Sequence, residues 1–248
     1  MTVTYLANEG VMLDDGERVV LIDALFREGV AGYAVHSPAL RDSLERARPP
    51  FDRVTAVLVT HRHDDHFDPA SVMRFLAHNP RATVLAGADV VAPLTAFSDP
   101  VELIERRVRT ASPDWMGTVR RVVGGIPVTA LGLRHGYRHN YGLDHRGYVV
   151  EIAGLRVLHL GDLEVIPENI DPFQFPGMDI DVALVPYWML LDGEGRERVR
   201  SGIAARHVLA FHIEPGRAAA IARRLATLYP EAVPLIEPGR QWRLGRGR

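Results

Sequence analysis

The segment from Thr60 to His66, with the sequence THRHDDH, constrains this chain more than any other. It places three imidazoles and two carboxylates within seven residues. The apolar run from Val54 to Val59 precedes it and predicts a buried strand. Neutral imidazole nitrogens and carboxylate oxygens are suitable ligands for zinc, iron or manganese. Because a loop at a strand end can direct such side chains at one point, the segment predicts a metal site.

Three further apolar strands also end next to a residue that can bind metal. Proteins that combine helices and sheets usually place their sites in the crevice at the strand ends. Four endings of this kind therefore predict that the ligands converge. The three runs and the residues that follow them are 128–133 with His135, 155–160 with Asp162, and 207–211 with His212.

The pattern His-x-His-x-Asp-His, formed here by His61, His63, Asp65 and His66, resembles the signature of the metallo-β-lactamase-fold superfamily. An apolar strand that ends in Asp23 fits the same resemblance. The resemblance implies an α/β protein, a four-layer αβ/βα sandwich in which two packed mixed β-sheets carry helices on their outer faces. It implies one domain over residues 1–248, with pseudo-halves at roughly 1–112 and 118–248 and a linker near residues 109–117.

The resemblance also implies a site for two divalent metal ions, with Zn²⁺ as the first choice and Mn²⁺ or iron as alternatives. Asp65 and Asp162 are the carboxylates expected to be catalytic, and Asp162 would bridge the two ions. Among His135, His139 and His145, which share one loop-rich stretch, His135 is preferred because it lies nearest the strand end. The ligands of the first ion would be His61, His63 and His135, and those of the second would be Asp65, His66 and His212.

Other residues are candidates for contacts around the metals. Asp23 would accept a hydrogen bond from a ligand imidazole or from the loop backbone, although a simple polar strand end fits its position equally well. Tyr137 and His139 are candidates for contact with the substrate. Tyr187 and Trp188 follow an apolar strand and can reach the site, but packing under a loop explains them equally well. His36 and His145 are expected at the surface.

The leading hypothesis is a metal-dependent hydrolase of a small ester, lactone or phosphoester, since two metals can activate a shared water. The chain has no cysteine, all of its basic residues are arginine, and it lacks a Gly-x-Ser-x-Gly motif. These absences favour metal-activated water over a protein nucleophile. The alternatives are an iron-dependent oxidoreductase or dioxygenase, a nuclease, and a non-catalytic domain stabilised by metal.

The composition of the chain argues against nucleic acid or a membrane as its partner. A net charge of −2 gives no general attraction to nucleic acid or to an anionic membrane. We therefore expect a small-molecule substrate rather than nucleic acid. No signal peptide or membrane-length apolar run is evident, so a cytoplasmic protein is the expectation. The arginine-rich tail, residues 240–248, is expected to be a solvated terminus. The sequence leaves the oligomeric state open.

Overall fold

The computed structural model describes residues 1–96 and 101–245. Within these residues the strands form two mixed sheets. The first sheet contains, in spatial order, β14 (Gln241–Arg243), β1 (Thr2–Ala7), β2 (Gly10–Asp14), β3 (Val19–Ile22), β4 (Val54–Leu58), β5 (Thr83–Ala86) and β6 (Val108–Thr110). The second contains β13 (Ala232–Pro234), β12 (His207–Phe211), β11 (Val182–Pro186), β10 (Leu155–His159), β9 (Arg146–Ile152), β8 (Ile126–Gly132) and β7 (Thr118–Val123).

Both sheets follow the same plan. In the first, β1, β2 and β3 pair antiparallel, and β3 to β6 then continue as parallel strands. In the second, β7 to β10 pair antiparallel and β10 to β13 are parallel. The predicted hairpin turns at 14–16 and 124–125 connect neighbouring antiparallel strands. In both sheets, strands of the parallel part lead directly into loops that carry the candidate site.

Helices cover the outer face of each sheet. The alternation of side chains along a strand sets up this arrangement. In β3, Val20 and Ile22 belong to the core between the sheets, whereas Val19 and Leu21 pack with the helices. The first sheet carries α1 (Pro38–Glu45), α2 (Pro69–His78), α3 (Ala88–Ala96) and α4 (Val101–Arg107), and the second carries α5 (Tyr187–Leu191), α6 (Gly193–Glu197) and α7 (Ala218–Leu228).

The start of α2 follows from its sequence. The Asp68 side chain accepts a hydrogen bond from the Ser71 amide at 2.7 Å, and Pro69 occupies the first turn. Both are common features of a helix N-terminus, since one satisfies a free amide and the other fixes the backbone. This cap ends the histidine loop and fixes where it rejoins regular structure.

Two boundary predictions need correction. The linker was expected over residues 109–117, but Arg109 and Thr110 belong to β6 and pair with β5. The tail was expected to be a solvated or frayed terminus; Arg240, Gln241 and Arg243 are exposed, but Gln241–Arg243 forms β14 and pairs antiparallel with β1. The last three residues of that tail, 246–248, lie outside the described residues. No helix within residues 1–96 and 101–245 is long and apolar enough to cross a membrane.

Candidate metal centre

The histidine loop leaves β4 and turns back on itself before α2. The amides of His66 and Phe67 both donate to the carbonyl of His63, at 3.0 Å each. At the far end of the loop, the Asp68 amide donates to the Leu25 carbonyl at 2.9 Å. These bonds form a compact turn that holds the imidazoles of His61, His63 and His66 on one side.

Four side chains form what we call the first ligand group: His61, His63, His135 and Asp162. Their ligand atoms all lie within 4.8 Å of one another. The Nε2 atom of His61 is 2.9 Å from Nδ1 of His63 and 3.2 Å from Nε2 of His135. The latter nitrogen is also 3.5 Å from an Asp162 carboxylate oxygen. Three imidazole nitrogens and one carboxylate oxygen therefore converge on one point.

A second ligand group shares Asp162 with the first and adds Glu9, His66 and His212. The Nε2 atom of His212 is 3.0 Å from Oε1 of Glu9 and 3.1 Å from Oδ2 of Asp162. His66 presents its Nε2 atom to the same Asp162 oxygen at 3.5 Å. Asp162 thus stands between the two groups, in the place that the sequence suggested for a bridging carboxylate.

Asp65 lies at the edge of the second ligand group. Its carboxylate oxygens are 3.7 Å from Nε2 of His212 and 3.8 Å from Nε2 of His66. The Asn8 side-chain amide donates to its Oδ2 atom at 3.0 Å. The sequence offered Asp65 as a ligand and did not identify Glu9, which the structure places closer to His212.

Outer hydrogen bonds orient the imidazoles. The Thr60 hydroxyl donates to Asp23 at 2.6 Å, so its lone pairs can accept a proton from Nδ1 of His61 at 3.0 Å. Asp23 also accepts from the Thr60 amide at 2.8 Å and lies 3.0 Å from Nδ1 of His66. The Nδ1 atom of His135 donates to the Gly136 carbonyl at 2.6 Å. Each contact places the proton on Nδ1 and leaves the converging Nε2 atom free as a ligand.

Buried neighbouring charges raise the pKa of His66 and lower the pKa of Asp162. Burial opposes the charged form of His66, but the carboxylates of Glu9 and Asp162 outweigh it and hold the pKa of His66 well above its usual range. Burial also opposes ionisation of Asp162, yet the imidazoles of His212 and His66 hold its pKa well below its usual range. Burial and the Asp162 carboxylate raise the pKa of Glu9 to about 8. A bound cation would lower the pKa of Glu9 again and favour its charged form.

The donor set suits bound metal ions. Several buried polar atoms of the second ligand group have no hydrogen-bond partner: both Glu9 oxygens, Nε2 of His66 and Oδ1 of Asp162. Unpaired buried atoms of this kind are costly unless a ligand satisfies them. In the first ligand group, burial and the neighbouring His66 hold the pKa of His61 well below its usual range, which favours the neutral form that metals bind.

The sequence profile described as Beta-lactamase superfamily domain matches residues 18–235 of this chain. The chain belongs to this family. The resemblance that the histidine pattern suggested is therefore confirmed, as is the sandwich of two mixed sheets. Glu9 precedes the matched residues. No curated protein sequence is significantly similar to the chain.

Solved structures that share the β-lactamase superfamily fold differ in named activity. Isothiocyanate hydrolase from Delia radicum gut bacteria aligns with a TM-score of 0.70 at 15% identity, over 98% of this chain and 99% of that one. The short form of human tRNase Z aligns at 0.62 and 13% identity, over 99% and 100%. The diiron β-hydroxylase CmlA from Streptomyces venezuelae aligns at 0.59 and 14% identity, over 98% of this chain and 54% of that one. At these identities the similarity shows the fold alone.

In this family member, both ligand groups lie beside an open cavity of about 940 Å³. Of the five residues predicted around the metals, Tyr137, His139, Tyr187 and Trp188 line it, whereas Asp23 lies behind the ligands against Thr60 and His66. The Trp188 ring is 5.2 Å from that of His212, and its Nε1 atom donates to a backbone carbonyl at 3.3 Å, so it packs as well as lining the cavity. The cavity has the size and mixed lining of a small-molecule site.

The structure changes the interpretation of two histidines and adds an aromatic residue. His145 was expected at the surface, but it is fully buried with its ring 5.2 Å from that of His61. His36 was also expected in solvent, yet it is buried with its ring 4.3 Å from that of Phe26. The Tyr33 ring stands edge-on to that of His212 at 4.1 Å. Tyr33 was not among the predicted residues, because the irregular segment around it gives no periodic signal.

Gly161 explains how Asp162 reaches the centre. Gly161 has φ +56°, and a Cβ atom there would lie 2.6 Å from Nε2 of His145. Only glycine fits this left-handed backbone and close approach without strain. The amide of Gly136 donates to the Asp162 carbonyl at 2.6 Å and fixes the loop of His135 against it. The loop that carries Asp162 and the loop that carries His135 are thus joined through a backbone hydrogen bond.

Proposed function

We propose that this protein is a metal-dependent hydrolase that uses water activated by two divalent metal ions to cleave a small ester, lactone or phosphoester. The observation that carries the proposal is the sharing of Asp162 by two ligand groups. A shared carboxylate suits a two-metal site, because it would hold two ions close enough to act on one water. Bound metals would supply a water with lowered pKa and a Lewis acid for the developing oxyanion.

The residues of the chain would hold this centre in place. His61, His63 and His135 would bind the first ion, and His66 and His212 would bind the second, with Asp162 between them. Three imidazoles in the first group fit Zn²⁺, and iron or Mn²⁺ would also be accepted. Asp23 and Thr60 would keep the imidazoles in one orientation. Preorganised ligands of this kind reduce the rearrangement needed during the reaction.

The cavity supports a small-molecule substrate. Tyr33, Tyr137, Tyr187 and Trp188 form aromatic surfaces around the metal-facing side chains. His63, Asp65, His135, Asp162 and His212 also line the cavity, so a bound substrate would meet the side that carries the ligands. An acyl or phosphoryl group would then lie next to the activated water.

Hydrolysis assays on reconstituted protein test the proposal. The protein would be stripped of metal, reloaded with Zn²⁺ or Mn²⁺, and assayed with a p-nitrophenyl ester, a γ-lactone and a p-nitrophenyl phosphodiester. We expect turnover of at least one class that is lost with chelator and is reduced at least about 100-fold in Asp162→Asn. The exposed Asp179→Asn serves as the matched control and should retain wild-type rates. Equal rates in Asp162→Asn and wild type would refute the proposal.

An iron-dependent oxidoreductase is the second candidate. The observation that favours it is the number of carboxylates around His66 and His212, namely Glu9, Asp65 and Asp162. Oxygen ligands suit iron as well as manganese, whereas zinc has no redox chemistry. Consumption of oxygen by protein loaded with Fe²⁺, together with no hydrolysis by the zinc form, would favour this candidate over the first.

A further inference from the structure

Glu9 is a buried carboxylic acid in a hairpin turn, a position where acidic side chains are usually exposed to solvent. It lies between β1 and β2 and its side chain is 0% exposed. Neither of its oxygens has a hydrogen-bond partner. The polar atoms close to them are Nδ1 of His66 at 3.2 Å and Nε2 of His212 at 3.0 Å. A metal ion beside these oxygens would satisfy them and compensate the buried charge.

The turn is anchored so that Glu9 points inward. The His212 amide donates to the Asn8 carbonyl at 3.4 Å, and Nε2 of His159 lies 3.3 Å from the Glu9 carbonyl. A Cβ atom at Gly10 would lie 2.9 Å from the Asp23 carbonyl, so the turn sits directly against that strand end. Contacts on both sides of Glu9 therefore fix the backbone that carries it.

Orienting His66 does not by itself explain the position of the Glu9 carboxylate. The Nδ1 proton of His66 already has an acceptor in Asp23 at 3.0 Å. The second Glu9 oxygen faces Nε2 of His212 instead, and the same nitrogen faces Asp162 at 3.1 Å. This arrangement places the Glu9 oxygen among the atoms that would surround the second ion.

We propose that Glu9 is a direct ligand of the ion held by His66, Asp162 and His212. The proposal rests on the metal centre of the proposed function and extends it by a ligand outside the histidine pattern. Asp65 is farther from His212, at 3.7 Å, and Asn8 holds one of its oxygens.

The extra carboxylate makes the two metal sites unequal. The first ligand group offers three imidazoles and one carboxylate, whereas the second offers two imidazoles, Glu9 and Asp162, with Asp65 beside them. Oxygen-rich sites favour harder cations such as Mn²⁺ and Fe²⁺ relative to imidazole-rich sites. The second site therefore has a higher preference for Mn²⁺ over Zn²⁺ than the first.

Calorimetric titration of the metal-free chain with MnCl₂ and with ZnCl₂ tests this assignment, using wild type, Glu9→Gln and a matched control. Glu45→Gln is the control, since Glu45 is also a buried carboxylate but is paired with Arg27 and Arg74. We expect Glu9→Gln to weaken one Mn²⁺ site by at least about tenfold, the lower end of the loss seen when partners around a metal are removed. Zn²⁺ binding should weaken less, so the Mn²⁺/Zn²⁺ selectivity of that site should fall.

Thermal unfolding supplies a readout that a purely structural role would not give. The melting temperatures of the metal-free wild type and metal-free Glu9→Gln serve as references, because added Mn²⁺ stabilises each protein according to its affinity for the ion. With Mn²⁺ added, the gain in melting temperature of Glu9→Gln should be smaller than that of wild type. Glu45→Gln should instead lower the melting temperature in both states and leave metal affinity unchanged.

The outcomes separate this assignment from the proposed function. Two wild-type-like Mn²⁺ sites in Glu9→Gln would show that Glu9 is not a ligand and would leave the hydrolase proposal intact. No metal binding by wild type would overturn both. If Glu9→Gln does not fold, Glu9→Asp keeps the charge but withdraws the carboxylate by one methylene. The same loss at one Mn²⁺ site would support the assignment, and full affinity would contradict it.

Discussion

Replacing Asp23 with alanine should weaken both the fold and the metal centre. Asp23 is fully buried and accepts two hydrogen bonds from Thr60, at 2.8 and 2.6 Å, beside a 3.0 Å contact with His66. Hydrogen bonds to a charged group contribute about 1.5–3 kcal/mol each. Asp23 also has φ +47°, a left-handed conformation that costs alanine about 1–2 kcal/mol. The free energy of unfolding should therefore fall by at least about 4 kcal/mol.

In a domain of this size, each kcal/mol changes the melting temperature by about 2–4 °C. The metal-free Asp23→Ala protein should therefore unfold about 8–16 °C below wild type, measured by circular dichroism. Metal affinity should fall about 10- to 100-fold, because His66 loses its acceptor and the Thr60 hydroxyl that accepts from His61 loses its own partner. Asp68→Ala removes the α2 cap and a 3.6 Å contact with Arg27, so it should cost about 1 kcal/mol and leave metal affinity unchanged. A melting temperature within about 2 °C of wild type and unchanged affinity in Asp23→Ala would show that Asp23 supports neither the fold nor the metal centre.

Three further predictions concern the support of the site. Gly161→Ala should cost at least about 2 kcal/mol, because a Cβ atom would meet His145 in a left-handed backbone, and thermal unfolding measures it. Tyr148→Phe should cost about 1–1.5 kcal/mol in urea unfolding, since its hydroxyl donates to the Val59 carbonyl at 2.7 Å just before the histidine loop. Burial lowers the pKa of His36 to about 4, so the stability of the fold falls as pH drops from about 6.5 to 4. In His36→Leu, the free energy of unfolding should fall by about 3 kcal/mol less over this pH range. A variant whose stability depends on pH as that of wild type does would contradict this prediction.

The main elements of the fold followed from sequence where local chemistry and burial agree. The buried run before Thr60 became β4, and the Asp68-Pro69 pair became the start of α2. The prediction failed where long-range pairing decides the structure. Residues 241–243 have little apolar pattern of their own, and they become a strand because β1 offers a free edge.

In the candidate site, too, residues with a local sequence signal were predicted and residues placed by long-range contacts were not. Strand endings indicated His135, Asp162 and His212, since the end of a buried strand is visible in the sequence. Glu9 gave no such signal, because an acid next to glycine in a hairpin turn usually faces water. Its position beside His212 depends on contacts between segments about two hundred residues apart in sequence. His145 was misjudged for a related reason: its polar neighbours suggest a loop surface, whereas the packing of Gly161 covers it.

The number of metal ions per chain shows whether Asp162 joins two metal sites. Wild type, His61→Ala and Asp162→Asn would be loaded with metal, freed of excess ions by gel filtration and measured by elemental analysis. We expect two ions per chain in wild type, one in His61→Ala and fewer than two in Asp162→Asn, because Asp162 belongs to both ligand groups. A wild-type chain that retains no metal after loading, or an Asp162→Asn chain that retains two as tightly as wild type, would contradict it.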